Sequence, residues 1–157
     1  MYSVDTSALM DWQARFYPTD VFPGLKKQIE KLIKDRRFQA VALVKDEINS
    51  VGTPGMKSWA ASQSGLFVPV DTEIQAVAKD IQSQYPDLVD VKNLHEQADP
   101  YVIALAKQQN WTVVSQETSV DEKRNPRKQH YIPDVCRDLG IPCINLLGLM
   151  RKEGWTF

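Results

Sequence analysis

Four acidic side chains stand where the apolar runs of this sequence stop. Asp5 follows Tyr2-Ser3-Val4 directly, Glu47 comes shortly after the run from Phe38 to Val44, Asp99 stands directly before Pro100, and Glu117 follows Trp111-Thr112-Val113-Val114-Ser115-Gln116. Carboxylates held within a few ångströms of one another push each other's pKa up and cannot all stay ionised without compensation. A divalent cation supplies that compensation. An all-oxygen donor set containing no His or Cys suits Mg²⁺ or Mn²⁺, not Zn²⁺. One or two such ions in a cleft serve phosphoryl chemistry, one lowering the pKa of the attacking water and another steadying the leaving oxygen. Each acid also has a plainer reading. Asp99 before Pro100 is expected as a helix N-cap, Asp5 as the cap of a first helix, and Glu47 and Glu117, taken singly, as solvated surface residues.

The elements that must position these acids follow from the pattern along the chain. Tyr2-Ser3-Val4 reads as a short strand ending at Asp5, with Ala8, Leu9 and Met10 in the helix behind it. Tyr17 to Gly24, with Pro18, Pro23 and Gly24, is expected as a loop. Leu25, Ile29, Leu32 and Ile33 fall on one helix face, predicting a helix over 25–37 whose other face carries Lys26, Lys27, Lys31, Lys34, Arg36 and Arg37. Phe38 to Val44 predicts a strand entering a helix. Pro54 opens a second amphipathic piece with Met56, Trp59 and Ala60 on one side. Leu66–Val70 predicts a strand, and Asp71 or Thr72 caps a helix reaching Gln84. Further helices are expected from Asp99-Pro100 onward and over 132–139, with strands over 111–114 and 141–145. Strands alternating with helices predict an α/β fold, a three-layer α/β/α arrangement around a mostly parallel sheet of about four to five strands. In such a sheet function collects at the carboxyl ends of the strands, where the four acids fall.

Cationic side chains near those ends would be needed to hold a phosphodiester. Lys123-Arg124-Asn125-Pro126-Arg127-Lys128 follows Glu117 closely, the 25–37 helix offers a second basic face, and Arg15 lies near the 17–24 loop. Neither His95 nor His130 lies in a ligand spacing, and both are expected at the surface.

Composition bounds the rest. A chain of 157 residues with 43% hydrophobic and 25% charged residues has an ordinary globular composition, excluding disordered, collagenous and disulfide-scaffold proteins. The size predicts one domain spanning 1–157, exposing about 8,000 Å² when folded. Cys136 and Cys143 have no second pair to complete a zinc spacing and are expected as buried small hydrophobes in a reducing compartment. No apolar stretch approaches the roughly 18 residues of a membrane span. No basic n-region or apolar h-region opens the chain, so it is expected to be complete, cytoplasmic and without membrane contact. The formal charge is −1. At face value this argues against a protein that grips nucleic acid by bulk charge.

Taken together, the blocks Val4-Asp5-Thr6-Ser7-Ala8-Leu9, Glu47, Ala98-Asp99-Pro100-Tyr101-Val102-Ile103-Ala104-Leu105-Ala106 and Val113-Val114-Ser115-Gln116-Glu117 resemble the PIN-domain nuclease pattern over the whole chain. The likeness is greatest to a bacterial subgroup that also carries the Tyr17–Gly24 loop and the Ile132-Pro133-Asp134-Val135-Cys136 segment. The resemblance implies a metal-dependent ribonuclease of the VapC-like toxin type, made beside an antitoxin that blocks it, and pairing as a homodimer. It implies Asp5, Glu47 and Asp99 as catalytic metal ligands for Mg²⁺ or Mn²⁺. The fourth position is commonly Asp or Asn in that family and here falls on Glu117, one methylene longer, with Asp121 as a substitute. Thr6 or Ser7 would hydrogen-bond a ligand or a phosphate, and Arg15, Lys123, Arg124, Arg127 and Lys128 would meet RNA.

Other readings of an acid at a strand end fit less well. A phospho-acceptor receiver domain requires an acidic neighbour for Asp5 and a lysine where Ser115-Gln116 stands; a haloacid-dehalogenase-type phosphatase requires a second Asp at the position of Ser7. A PIN-like module without catalysis, serving binding or assembly, is the main alternative.

Overall fold

The short apolar runs form strands, the three central ones buried on both faces. A computed structural model describes residues 1–93 and 96–157. β1 (Tyr2–Val4), β2 (Phe38–Val41), β3 (Phe67–Val68), β4 (Thr112–Val114) and β5 (Cys143–Ile144) form one sheet in the order β3-β2-β1-β4-β5. Every pairing is parallel. β1, β2 and β4 are buried throughout, as required of strands covered by helices on both sides. The fold is therefore the α/β class that the alternation of elements predicts, and its folded surface is 8701 Å².

The chain runs from β1 outward through β2 to β3, then returns to the other side of β1 for β4 and β5. The strand order therefore reverses beside β1, leaving a crevice beyond its carboxyl end.

Helices fill the two outer layers: α1 (Thr6–Met10), α2 (Pro23–Lys34), α3 (Ala42–Val51), α4 (Pro54–Ser62), α5 (Thr72–Gln84), α6 (Asp99–Gln109), α7 (Ile132–Leu139) and α8 (Leu146–Glu153). α6 packs across β1, β2 and β4, and α5 lies against α6. Leu25, Ile29, Leu32 and Ile33 are all buried, so the stripe read from the sequence is the face α2 turns to the core. α2 begins at Pro23 and not Leu25, because proline's fixed φ suits the first helical turn. It stops at Lys34, since Arg36 lies at φ 55° and turns the chain into β2.

Two features have no counterpart in the sequence pattern. α1 continues as a π-helical turn over Asp11–Phe16, closed by the Tyr17 N–H donating to the Trp12 carbonyl at 3.2 Å. That turn seats Trp12 at 0% exposure, edge-on to Trp59 with centroids 5.0 Å apart. α8 closes the chain, capped by the Asn145 side chain and ended by Gly154 at φ +68°. Of the two cysteines, Cys136 is buried as expected but Cys143, on β5, is only half-buried. No helix among the described residues is long and apolar enough to cross a membrane.

Candidate active site

The register of the sheet sets the first contact. β1 and β4 run level, Val4 opposite Val114, so the next residues, Asp5 and Ser115, leave the sheet side by side. The Asp5 amide donates to the Val114 carbonyl at 3.0 Å. Asp5 is the N-cap of α1: its Oδ2 accepts from the Ser7 amide at 3.2 Å, from the Ser7 hydroxyl, and from Ser115 Oγ at 3.1 Å. Its exposure is 3%. Burial pushes the Asp5 carboxyl up, and the Ser7 and Ser115 hydroxyls offset part of that.

Glu47 projects from α3. One of its oxygens accepts from the Thr6 hydroxyl, and Oε1 accepts from the Ala98 amide at 3.0 Å, which ties the start of α6 to α3. Burial pushes Glu47 up, the Thr6 hydroxyl and the Ala98 N–H oppose it, and the charges of Asp5 and Asp46 add to the rise.

At Asp99 the structure corrects the sequence reading. Asp99 does not cap α6; Ala98 holds the N-cap position, and its carbonyl accepts from the Tyr101 and Val102 amides at 2.9 Å each. Asp99 is the first helical residue, and its carboxyl accepts no hydrogen bond from the described residues. Burial raises its pKa well above the ordinary carboxylate range, Asp5, Glu117 and Glu47 raise it further, and Lys128 opposes them.

Glu117 is half-buried, its Oε2 accepting from the Ile132 amide at the start of α7 at 3.0 Å. Burial raises it, the Ile132 N–H lowers it, Asp5 raises it, and Lys128 and Lys123 lower it. Asp121 lies away from this group: it is exposed, on a short 3₁₀ turn over Val120–Glu122, with Arg137 at 3.5 Å.

Asp5, Glu47, Asp99 and Glu117 thus meet at the reversal of strand order, near enough that Asp5 raises the pKa of the other three and Glu47 and Glu117 raise that of Asp99. Among the described residues none of them forms an ion pair with Lys, Arg or His. As the side chains stand, no three His, Cys, Asp or Glu groups among the described residues close into a formed ligand set. Asp5, Glu47 and Glu117 are turned onto local N–H and O–H donors. In kind the set fits a hard divalent cation, being oxygen-only, largely buried and without a paired cation among the described residues.

Two adjoining cavities flank the group. One, of about 800 Å³, is lined by Lys92, Arg127 and Lys128, by Asp87, Asp90 and Glu117, and by Tyr131. The other, of about 730 Å³, is lined by Thr6, Asp46, Glu47 and Glu96, and Gln97 lines both. Lys123 and Lys128 lie over the Tyr131 ring, with Nζ 4.2 and 4.8 Å from its centroid. Lys128 also donates to the Leu88 carbonyl at 2.8 Å, and Lys123 to Thr118 Oγ1 at 3.0 Å. Arg124 and Arg127 are exposed.

Of the other residues singled out in the sequence, some join the acids and some lie apart from them. Thr6 and Ser7 spend their hydroxyls on Glu47 and Asp5. Arg15 pairs with Asp11 at 3.0 Å on the π-helical turn and lines neither cavity. Lys27, Lys31 and Lys34 of α2 form an exposed face. His130 is half-buried against Asp87, Nδ1 to Oδ1 2.7 Å, where a surface histidine was expected. His95 lies outside the described residues. Ser115 escaped the sequence reading although its place was legible: it is the residue level with Asp5 once β1 and β4 are paired in parallel.

Comparison with solved structures finds the same fold at low identity. FitAcB from Neisseria gonorrhoeae aligns with a TM-score of 0.51 at 19% identity, over 92% of this chain and 97% of that one. FitAB bound to an IR36 DNA fragment aligns with a TM-score of 0.52 at 17% identity, over 92% of this chain and 94% of that one. Comparison with curated proteins finds no match. One family model spans residues 2–157, from β1 past the end of α8, and so takes in all four acids: the chain belongs to the family described as Domain of unknown function (DUF4411).

Proposed function

We propose that this protein is a metal-dependent endoribonuclease, the toxin of a type II toxin-antitoxin pair. The observation that carries the reading is the group of buried, mutually repelling carboxyls of Asp5, Glu47, Asp99 and Glu117 at the crevice beside β1, with no cationic side chain paired to them among the described residues. A protein keeps such a group at a cost in stability, and phosphoryl chemistry is what an oxygen-only cluster in a crevice serves. In this reading the four acids hold one or two Mg²⁺ or Mn²⁺ ions, which when bound supply Lewis-acid activation of water and stabilisation of the leaving oxygen. Ser7, Ser115 and Thr6 orient Asp5 and Glu47. The Ile132 amide orients Glu117. Lys128, Arg127, Lys123 and Arg124 meet the phosphates of RNA entering along the larger cavity. No histidine base is called for.

In this reading the chain is blocked by a cognate antitoxin and pairs into a homodimer; its fold is shared with FitAcB and with FitAB, the latter solved bound to an IR36 DNA fragment. Expression without that partner should arrest bacterial growth, and Asp99→Asn should relieve the arrest at equal protein level. Unaffected growth at verified wild-type expression would contradict the toxin reading.

The inert-module alternative draws on one observation: three of the four carboxyls stand on local donors, and the group does not close around a common point. Calorimetric titration with Mn²⁺ separates the two. A nuclease site gives carboxylate-dependent heat, and an inert module gives none.

A further inference from the structure

Between β4 and α7 the chain carries Glu117 at one end and the basic residues 123–128 in its middle. Asp134, on the first turn of α7, is 1% exposed and is the most deeply buried acid among the described residues. A buried carboxylate is costly unless hydrogen bonds replace its water. Both of its oxygens take the Val120 amide, at 3.1 and 3.0 Å, and Oδ2 also takes the Tyr131 amide at 2.9 Å. Arg137 reaches its outer edge at 3.4 Å. The Tyr131 bond is the ordinary service of an acid in a helix's first turn. The Val120 bond is not; it clamps a residue fourteen positions away to the same turn. Next to Tyr131, the Ile132 amide holds Glu117 Oε2 at 3.0 Å. One buried carboxylate therefore fixes both the loop that leaves Glu117 and the helix end on which Glu117 rests.

We infer that Asp134 is a positioning residue for Glu117, setting through it the affinity of the acidic group for a divalent cation. The inference rests on the metal reading of that group. A plain helix-capping role would lower stability and leave the Mn²⁺ affinity of the folded protein unchanged.

The test is Mn²⁺ titration by calorimetry on wild type, Asp134→Ala and Asp134→Asn, each held well below its melting temperature. Asp71→Ala serves as comparator, since Asp71 caps α5 through the Ile74 amide at 2.7 Å and should affect stability alone. Asp134→Ala is expected to bind Mn²⁺ about 10-fold or more weakly, in the range found when groups that orient metal ligands are removed. Asp134→Asn, which keeps one acceptor oxygen, should fall between Asp134→Ala and wild type. Wild-type affinity in Asp134→Ala overturns the inference. Should Asp134→Ala not fold, Asp134→Asn decides it: weaker binding supports the positioning role, and wild-type affinity overturns it. If the wild-type protein itself binds no Mn²⁺, the metal reading falls and the inference with it, an outcome distinct from a binding wild type beside an unchanged variant.

Discussion

Asp99 is where the electrostatics of the site are least compensated. Asp5 has Ser7 and Ser115, Glu47 has Thr6 and the Ala98 amide, and Glu117 has the Ile132 amide, while the Asp99 carboxyl faces Asp5, Glu117 and Glu47, opposed by Lys128. A carboxyl whose pKa is higher in the folded than in the unfolded chain binds more protons when folded, so its contribution to stability is fully present below the unfolded pKa and is lost as pH rises through the folded one. The metal-free protein should therefore melt at a higher temperature near pH 5 than near pH 7.5. Mn²⁺ should raise the melting temperature more at pH 7.5, and Asp99→Asn should flatten the metal-free pH dependence. A melting temperature that rises from pH 5 to 7.5 without metal would contradict this, as read by calorimetry in chelator. These acids were legible because each follows an apolar run or opens a helix. Asp134 was not, because its role depends on Val120, a contact made only once the 118–131 segment is folded.

At the scale of elements, periodicity and caps carried the prediction. The Leu25-Ile29-Leu32-Ile33 stripe, the Asp71 cap and the 132–139 helix are all where local chemistry puts them. Ile29, 0% exposed, lies at the centre of the α2 stripe, and Ile29→Ala should cost about 2–5 kcal/mol, read from denaturant unfolding. A loss below about 1 kcal/mol would show that α2 packs loosely. Where local chemistry was ambiguous, tertiary contacts decided. Asp99-Pro100 has the form of a cap, yet Glu47 reaches across from α3 to the Ala98 amide. The helix then starts one residue earlier, and the Asp99 carboxyl is left free toward the acidic group. The π-helical turn of Asp11–Phe16 widens a helix to seat Trp12, and no spacing in the sequence marks it. α8 is short, with Gly148 inside it, and follows directly on the strand expected over 141–145.

At the scale of the molecule, the charge of −1 takes on a different meaning. Four of the negative charges counted in it are Asp5, Glu47, Asp99 and Glu117; two divalent ions on them would bring the chain to a formal +3. The basic side chains beside Glu117 would then face phosphate without the opposing field of the cluster. RNA affinity should thus rise when metal binds. Fluorescence anisotropy with a 2′-O-methyl RNA, which resists cleavage, should report tighter binding in Mn²⁺ than in chelator at the same ionic strength. Equal affinity in both would count against the cluster as the metal site. The parallel sheet was legible from the alternation of strands and helices; its reversal beside β1 was not, since alternation alone does not fix the strand order. The two cavities that flank the acids were not either, because their walls come in part from residues 86–92 and Gln97, stretches whose sequence has no periodicity.

The most direct test of the central claim is cleavage itself. Labelled single-stranded RNA is incubated with the wild-type protein and with Asp99→Asn, in Mg²⁺, in Mn²⁺ and in excess chelator. The account predicts products from the wild type with a divalent ion, and none above background in chelator or with Asp99→Asn. Cleavage that persists at the wild-type rate in chelator, or in Asp99→Asn, would contradict it.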